Sequence, residues 1–200
     1  MRNSQLSRRQ VLKGAGAVGV LGALGIPTVV FADENKVRWD LISVNFVTGT
    51  LSAGGHASAR AADDSKITLT GSGTFGSGED HGVTGGGNWW TFAPGGAQTA
   101  SGTYKVKGLV SWEPAPGTPP LPNDNIGDRE DESAGLAILR IRYSDGSRGV
   151  LIVSCDLVGT SNAVFEGVTA TKGYIDYWNR EKPVPGVDAD RTNFHVLDED

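Results

Sequence analysis

One cysteine, one methionine and three histidines in 200 residues leave this chain poor in the side chains that carry redox, metal and nucleophilic chemistry. A lone Cys155 excludes an intramolecular disulfide, so the core must hold the fold. The only methionine is Met1, which leaves no axial ligand for a blue-copper centre. No His-x-His or His-x-x-x-His spacing occurs, so no zinc motif is present and no cofactor is expected. The run Gly85-Gly86-Gly87-Asn88 lacks the following Lys-Ser or Lys-Thr of a phosphate loop, which argues against a nucleotide site. There is no Gly-x-Ser-x-Gly elbow, and Ser154 has no evident base. Basic residues are outnumbered, 18 against 23, for a net charge of −5, which argues against a nucleic-acid partner. Beyond residue 31 no apolar run is long enough to span a bilayer, and none has helical spacing.

What is present begins at the amino terminus. Ser7-Arg8-Arg9-Gln10-Val11-Leu12-Lys13 precedes a weakly apolar, Gly- and Ala-rich run from Gly14 to Phe31, and Val30-Phe31-Ala32 offers small or branched residues at the positions a signal peptidase reads. The arrangement resembles the twin-arginine (Tat) export signal of bacteria and archaea. That resemblance implies the twin-arginine export machinery as a partner, delivery to the periplasm or the extracellular space, and transport of an already folded protein. A cut between Ala32 and Asp33 would divide the chain into a signal peptide, residues 1–32, and a mature domain, residues 33–200. Five glycines and Pro27 weaken the run as a permanent helix, so a retained anchor is the lesser alternative and no stable membrane span is expected after cleavage. Cleavage would remove Arg2, Arg8, Arg9 and Lys13 and no acid, leaving 14 basic residues against 23 acidic ones and a net charge of −9.

In the mature region the dominant period is two. From Lys66 to Phe75, the residues Ile67, Leu69, Gly71, Gly73 and Phe75 alternate with polar neighbours. From Thr103 to Trp112, alternation places Tyr104, Val106, Gly108, Val110 and Trp112 inward and Leu109 outward. Ser144-Asp145-Gly146-Ser147 predicts a hairpin joining Leu136–Tyr143 to Gly149–Leu157. Further strands are expected at Val37–Thr48, His56–Ala62, Asn88–Ala93 and Val164–Trp178, the last breaking or bulging at Gly167 or Gly173. The Pro-rich stretch 113–132 reads as an ordered surface loop, and the tail from Pro183 as an extended segment packing through Phe194 and Val196. About seven or eight strands joined by Gly-rich turns predict an all-β domain, a single antiparallel β-barrel or else a β-sandwich. The strand Thr70-Gly71-Ser72-Gly73-Thr74-Phe75 is similar to the Gly-x-Gly-x-Phe strands of dirigent and allene-oxide-cyclase barrels, a likeness confined to these six residues.

Candidate sites are few. Alternation puts Cys155 among Leu151, Val153 and Leu157, as a buried and inert thiol. Glu79-Asp80-His81 is the densest group of potential ligands, and the other imidazoles are His56 and His195; without metal-binding spacing it reads as a polar loop. Asp124, Asp128, Glu130, Asp131 and Glu132 read as a solvated charged loop, because no EF-hand register fits them. Trp90 and Phe92, with Trp112, are the aromatics most suited to stacking on a sugar ring or gripping an apolar ligand, with Glu79, Asp80 and His81 adding polar selectivity. The functional expectation is an exported, non-catalytic barrel that binds a small apolar or carbohydrate ligand. The alternatives are a barrel isomerase or cyclase working with few polar groups in an apolar cavity, or a structural protein of the cell envelope.

Overall fold

Period-two alternation is realised as strands almost throughout the computed structural model, which describes residues 36–76 and 82–197. Arg8 and Arg9, the Ala32–Asp33 junction and Glu79-Asp80-His81 lie outside the described residues. The chain enters as β1 (Lys36–Asn45), turns back as β2 (Thr50–Ala53), and makes a hairpin of β3 (His56–Arg60) and β4 (Lys66–Thr70). After β5 (Ser72–Gly76) come β6 (Gly86–Phe92) and the long β7 (Gln98–Ala115). The Pro-rich segment adds a two-residue strand, β8 (Asn123–Asp124), and a 3-10 turn at Arg129–Asp131. Next come β9 (Glu132–Tyr143) and β10 (Arg148–Cys155), the hairpin expected across Ser144–Ser147. The described chain ends with β11 (Gly167–Lys172), β12 (Ile175–Tyr177), β13 (Asn179–Arg180) and β14 (Thr192–Leu197).

Strands β1, β5, β6, β7, β9 and β14 pair in a ring and close an antiparallel barrel. On one side β10, β11 and β12 extend the sheet from β9; on the other, β4, β3 and β13 extend it from β6. Among the described residues there is no α-helix, and no helix long and apolar enough to cross a membrane. The tail does more than pack across the sheet. As β14 it sits between β1 and β9 and supplies the strand that closes the ring.

The interior is occupied by aromatic and branched side chains. Trp39, Phe75, Trp89, Tyr143, Phe194 and Leu139 are almost fully buried, and the Trp112 ring lies 4.5 Å from that of Phe194. Burial of most of the polar tips is offset by hydrogen bonds: Trp89 Nε1 donates to the Thr103 carbonyl at 3.1 Å, and Tyr104 and Tyr143 donate to the carbonyls of Thr70 and Thr171 at 2.9 Å each, whereas Trp39 Nε1 has no partner among the described residues. Glycines let the backbones approach where the ring is tightest: a Cβ on Gly87 would lie 1.9 Å from the Thr70 carbonyl oxygen.

Three expectations need correction. Alternation in β7 is broken by two register shifts, one between Val106 and Gly108 and one between Leu109 and Ser111. Each adds a residue to one strand and reverses the facing of the residues beyond it. Leu109 therefore packs on the core, while Val110 is 57% exposed. The stretch from Lys66 to Phe75 is not one strand but two, β4 and β5, parted at Gly71, whereas Val164–Trp178 breaks at Gly173 (φ +62°), one of the two glycines expected, into the β11–β12 hairpin. Finally, β7 runs to Ala115, pairing Pro114 with Gly135, so the Pro-rich loop starts later than its first proline.

Candidate functional site

The in-register pairing of β1, β14 and β9 builds a polar cluster on the outside of the barrel. Trp39 faces Phe194 across the inner side; one residue along, Asp40 faces Asn193 on the outer side. Arg38 likewise pairs with His195, and His195 with Glu132. Asp40, Asn193, His195 and Glu132 are all buried, although they point away from the barrel interior. What buries them is the Pro-rich loop. Leu121 and Ile126 pack on Ile42, Val44 and Leu51, forming a second small core on the outer face.

Polar bonds pin that loop. Arg129 donates from Nε to the Leu121 carbonyl and from Nη2 to the Pro119 carbonyl, both at 2.8 Å. Two strand pairs join β8 to β2, and Asn123 and Asn125 donate their side-chain amides to Thr48 and Ser52. Asp124 Oδ2 lies 2.6 Å from His195 Nε2, with side chains 2% and 0% exposed. Gly127 crosses close over the imidazole, where a Cβ would come within 3.0 Å of His195 Cδ2. Asp124 and Glu132 thus belong to a buried network, which corrects their reading as solvated loop charges.

Between loop and barrel remains a groove of about 260 Å³. Ile42, Val44, Leu51, Leu121 and Leu157 form its apolar walls, and Glu132, Glu166, Arg191 and Asn193 supply its polar part. Cys155 lies against the same space, 1% exposed, with Sγ 4.0 Å from Asn193 Oδ1. Burial pushes its thiol well above the usual range, and the nearby carboxylates Glu166 and Glu132 push it further. The expected inert thiol is what this environment produces.

Asp156, Glu132 and Glu166 all line the groove, and the two glutamates differ. Glu166 is fully engaged: Oε2 accepts from the Asp156 amide at 2.7 Å and Oε1 from the Thr192 amide at 2.5 Å, clasping the end of β10 to the start of β14. Burial still pushes it up to about 8, against the pull of those two amides and of the Arg191 charge. Glu132 is pushed up to about 7, first by burial and then by the charge of Asp124, with Arg129 opposing. Its Oε1 makes no hydrogen bond of good geometry, although the Asn193 side chain and the Asp124 carboxylate lie near enough to act on the carboxyl. Asn193 accepts the Phe194 amide at Oδ1, 2.9 Å, which orients its side chain and leaves Nδ2 without a partner as well. The Arg191 guanidinium stacks over Phe46 at 5.2 Å, with Nε unpaired. Buried polar atoms are rarely left unpaired; of the six such side-chain atoms among the described residues, three, on Glu132, Asn193 and Arg191, lie around this groove. A carboxyl group half-protonated near neutrality beside an amide donor can give or take a hydrogen bond, and can exchange a proton.

The aromatic residues singled out from the sequence are not gathered together. Trp90 and Phe92 share the outward face of β6, both half-buried, with the Lys66 ammonium 5.2 Å from the Phe92 ring centroid. Trp112 is on the inward side, against Phe75 and Phe194. His56 is exposed on β3 whereas His195 is buried on β14, so those two imidazoles do not share a surface. Asp190 accepts the Ser58 amide and Asp188 the Val44 amide, which ties both to backbone. Among the described residues, no group of three or more His, Cys, Asp or Glu could hold a metal ion.

The fold and groove define an exported antiparallel β-barrel with an acidic, loop-covered cavity on its outer face. Against known protein families, residues 5–25 match the TAT (twin-arginine translocation) pathway signal sequence. That signal makes the twin-arginine machinery the chain's partner in export across the cytoplasmic membrane. No curated protein and no solved structure matches the chain.

Proposed function

We propose that the exported domain, freed of its signal after Ala32, binds a small, largely apolar molecule bearing one hydroxyl or carbonyl group, in the groove beneath the Pro-rich loop. The observation that carries this reading is the pairing of apolar walls with the unpaired Glu132 Oε1 and Asn193 Nδ2. At about 260 Å³ the groove is below the roughly 300–1,000 Å³ of drug-sized sites, so its ligand is of single-ring size. Glu132 and Asn193 would hold the polar end, and Ile42, Val44 and Leu121 the ring. The test uses p-cresol and cyclohexanol as probes, with toluene as the apolar control, followed by the methyl NMR signals of Ile42, Val44, Leu51 and Leu121. Ring alcohols should shift these methyls, and Glu132→Leu should weaken their binding about three- to tenfold, the worth of one hydrogen bond. Methyl signals indifferent to every probe would end this reading.

One observation favours a second reading, an isomerase- or cyclase-type enzyme: Glu132 is poised near neutrality, where a general acid or base works best. The two part on Glu132→Gln. A binding protein would lose modest affinity and return its ligand unchanged, whereas an enzyme would lose about 10²–10⁴-fold in turnover.

A further inference from the structure

On the outward face of β7, β9 and β10, apart from the groove, five cations stand together in a protein of net negative charge. Lys105 pairs directly with Arg142 across β7 and β9, and Arg142 with Arg148 across β9 and β10. Neighbouring strands are about 5 Å apart, so these three charges form a row about 10 Å long. Alternation puts Lys107 on the same side as Lys105, the register shift after Val106 sets Gly108 opposite Arg140, and Arg140 folds over that glycine, where a Cβ would lie 2.5 Å from its Nη2. All of these except Lys105 line an open groove of about 400 Å³. Like charges set opposite each other across strands are destabilising. No described residue gives the side chain of any of the five a hydrogen bond or an ion pair, and Asp145, the acid in the adjoining turn, is taken by Lys172.

We infer that this row is a binding site for an acidic polysaccharide, a uronate-bearing chain lying across the three strands. Guanidinium forks match carboxylates in two-point contacts, which suits Arg140, Arg142 and Arg148. A single-stranded nucleic acid would need aromatic platforms between the cations, yet Tyr104 and Tyr143 of these strands are buried. An anionic membrane is broad and would meet the acidic remainder of the domain as well as the row, whereas a single chain can follow the row alone. The site is independent of the ligand groove, so either can fail alone.

The test takes the protein recovered after export, which lacks the cationic leader. Binding is measured by calorimetry in low salt to oligogalacturonate, neutral dextran oligosaccharides, phosphatidylglycerol vesicles and single-stranded DNA. The expected result is binding to oligogalacturonate alone, weakened at least tenfold by Arg142→Gln and again by Arg148→Gln, and falling as salt rises. Both variants should keep or raise the thermal midpoint, because they relieve repulsion, and Lys36→Gln on β1 should bind as the parent does. No binding to oligogalacturonate, binding untouched by the arginine variants, or tighter binding to vesicles or DNA would each overturn the proposal.

Discussion

Inside the barrel Trp39 and Phe194 face each other across β1 and β14 and are shut off from water; one residue along each strand, Asp40 and Asn193 are shut off as completely on the other side. The inner pair is buried by closure of the ring, and its surroundings are apolar. The outer pair is buried by a loop laid over a polar surface, and its surroundings hold Arg38, Asp124, His195 and Glu132. Desolvating the inner pair is favourable, whereas desolvating the outer set is costly unless each charge finds a partner. Arg38 and Asp40 bond at 2.7 and 3.0 Å, although burial still raises the Asp40 carboxyl. Glu132 and Asn193 keep unpaired atoms. The interior therefore carries stability, and the loop-covered face carries the unpaired polar atoms on which the proposed binding rests.

The sharpest way to break that contrast is Phe194→Ala, which empties the centre of the ring and should cost about 3–5 kcal/mol in urea unfolding. A loss below about 1 kcal/mol would mean that closure by β14 matters little. Glu166→Ala should cost less, about 1–3 kcal/mol, because it strips the acceptor from the Asp156 and Thr192 amides at the groove's edge. Faster hydrogen exchange at those two amides would locate the effect.

Glu132→Gln acts in a pH-dependent way. The native carboxyl holds its proton up to about pH 7, while the unfolded chain releases it near the ordinary carboxylate value. The stability it contributes is therefore complete below about pH 4.5 and is lost as pH rises through 7. Glu166 extends the decline to about pH 8. Urea midpoints of the parent should fall from about pH 5 to about pH 8, and Glu132→Gln should fall less, giving a variant more stable than its parent at the alkaline end. Equal slopes would show that Glu132 is not held in its neutral form. The smallest effect belongs to Val110→Ser, within about 0.5 kcal/mol because the side chain is largely exposed. An unbroken alternation in β7 would instead bury Val110 and make its loss cost about 1.5–3 kcal/mol.

Alternation made the strands, the Ser144–Ser147 hairpin and the burial of Cys155 legible, because each depends on neighbours in sequence. The register shifts in β7 were not legible: a bulge is dictated by the partner strand, and Val110 looks the same with or without it. The groove was hidden for a related reason. Glu132 opens a largely apolar strand, and a charge at the edge of such a run was the available signal. Nothing local shows that Glu166, Arg191 and Asn193 meet it, since β9, β14 and the segments before β11 and β14 are joined only by the fold. Trp90 and Phe92 drew notice because aromatics are conspicuous in a sequence, whereas an unpaired carboxyl oxygen is visible only in three dimensions.

The central claim is that Glu132 titrates near neutrality and that the proposed ligand meets it there, and a carbon-13 titration of its side-chain carboxyl tests it most directly. The account predicts a midpoint near 7 that moves when p-cresol occupies the groove. A midpoint near 4.5, unmoved by the probe, would contradict it.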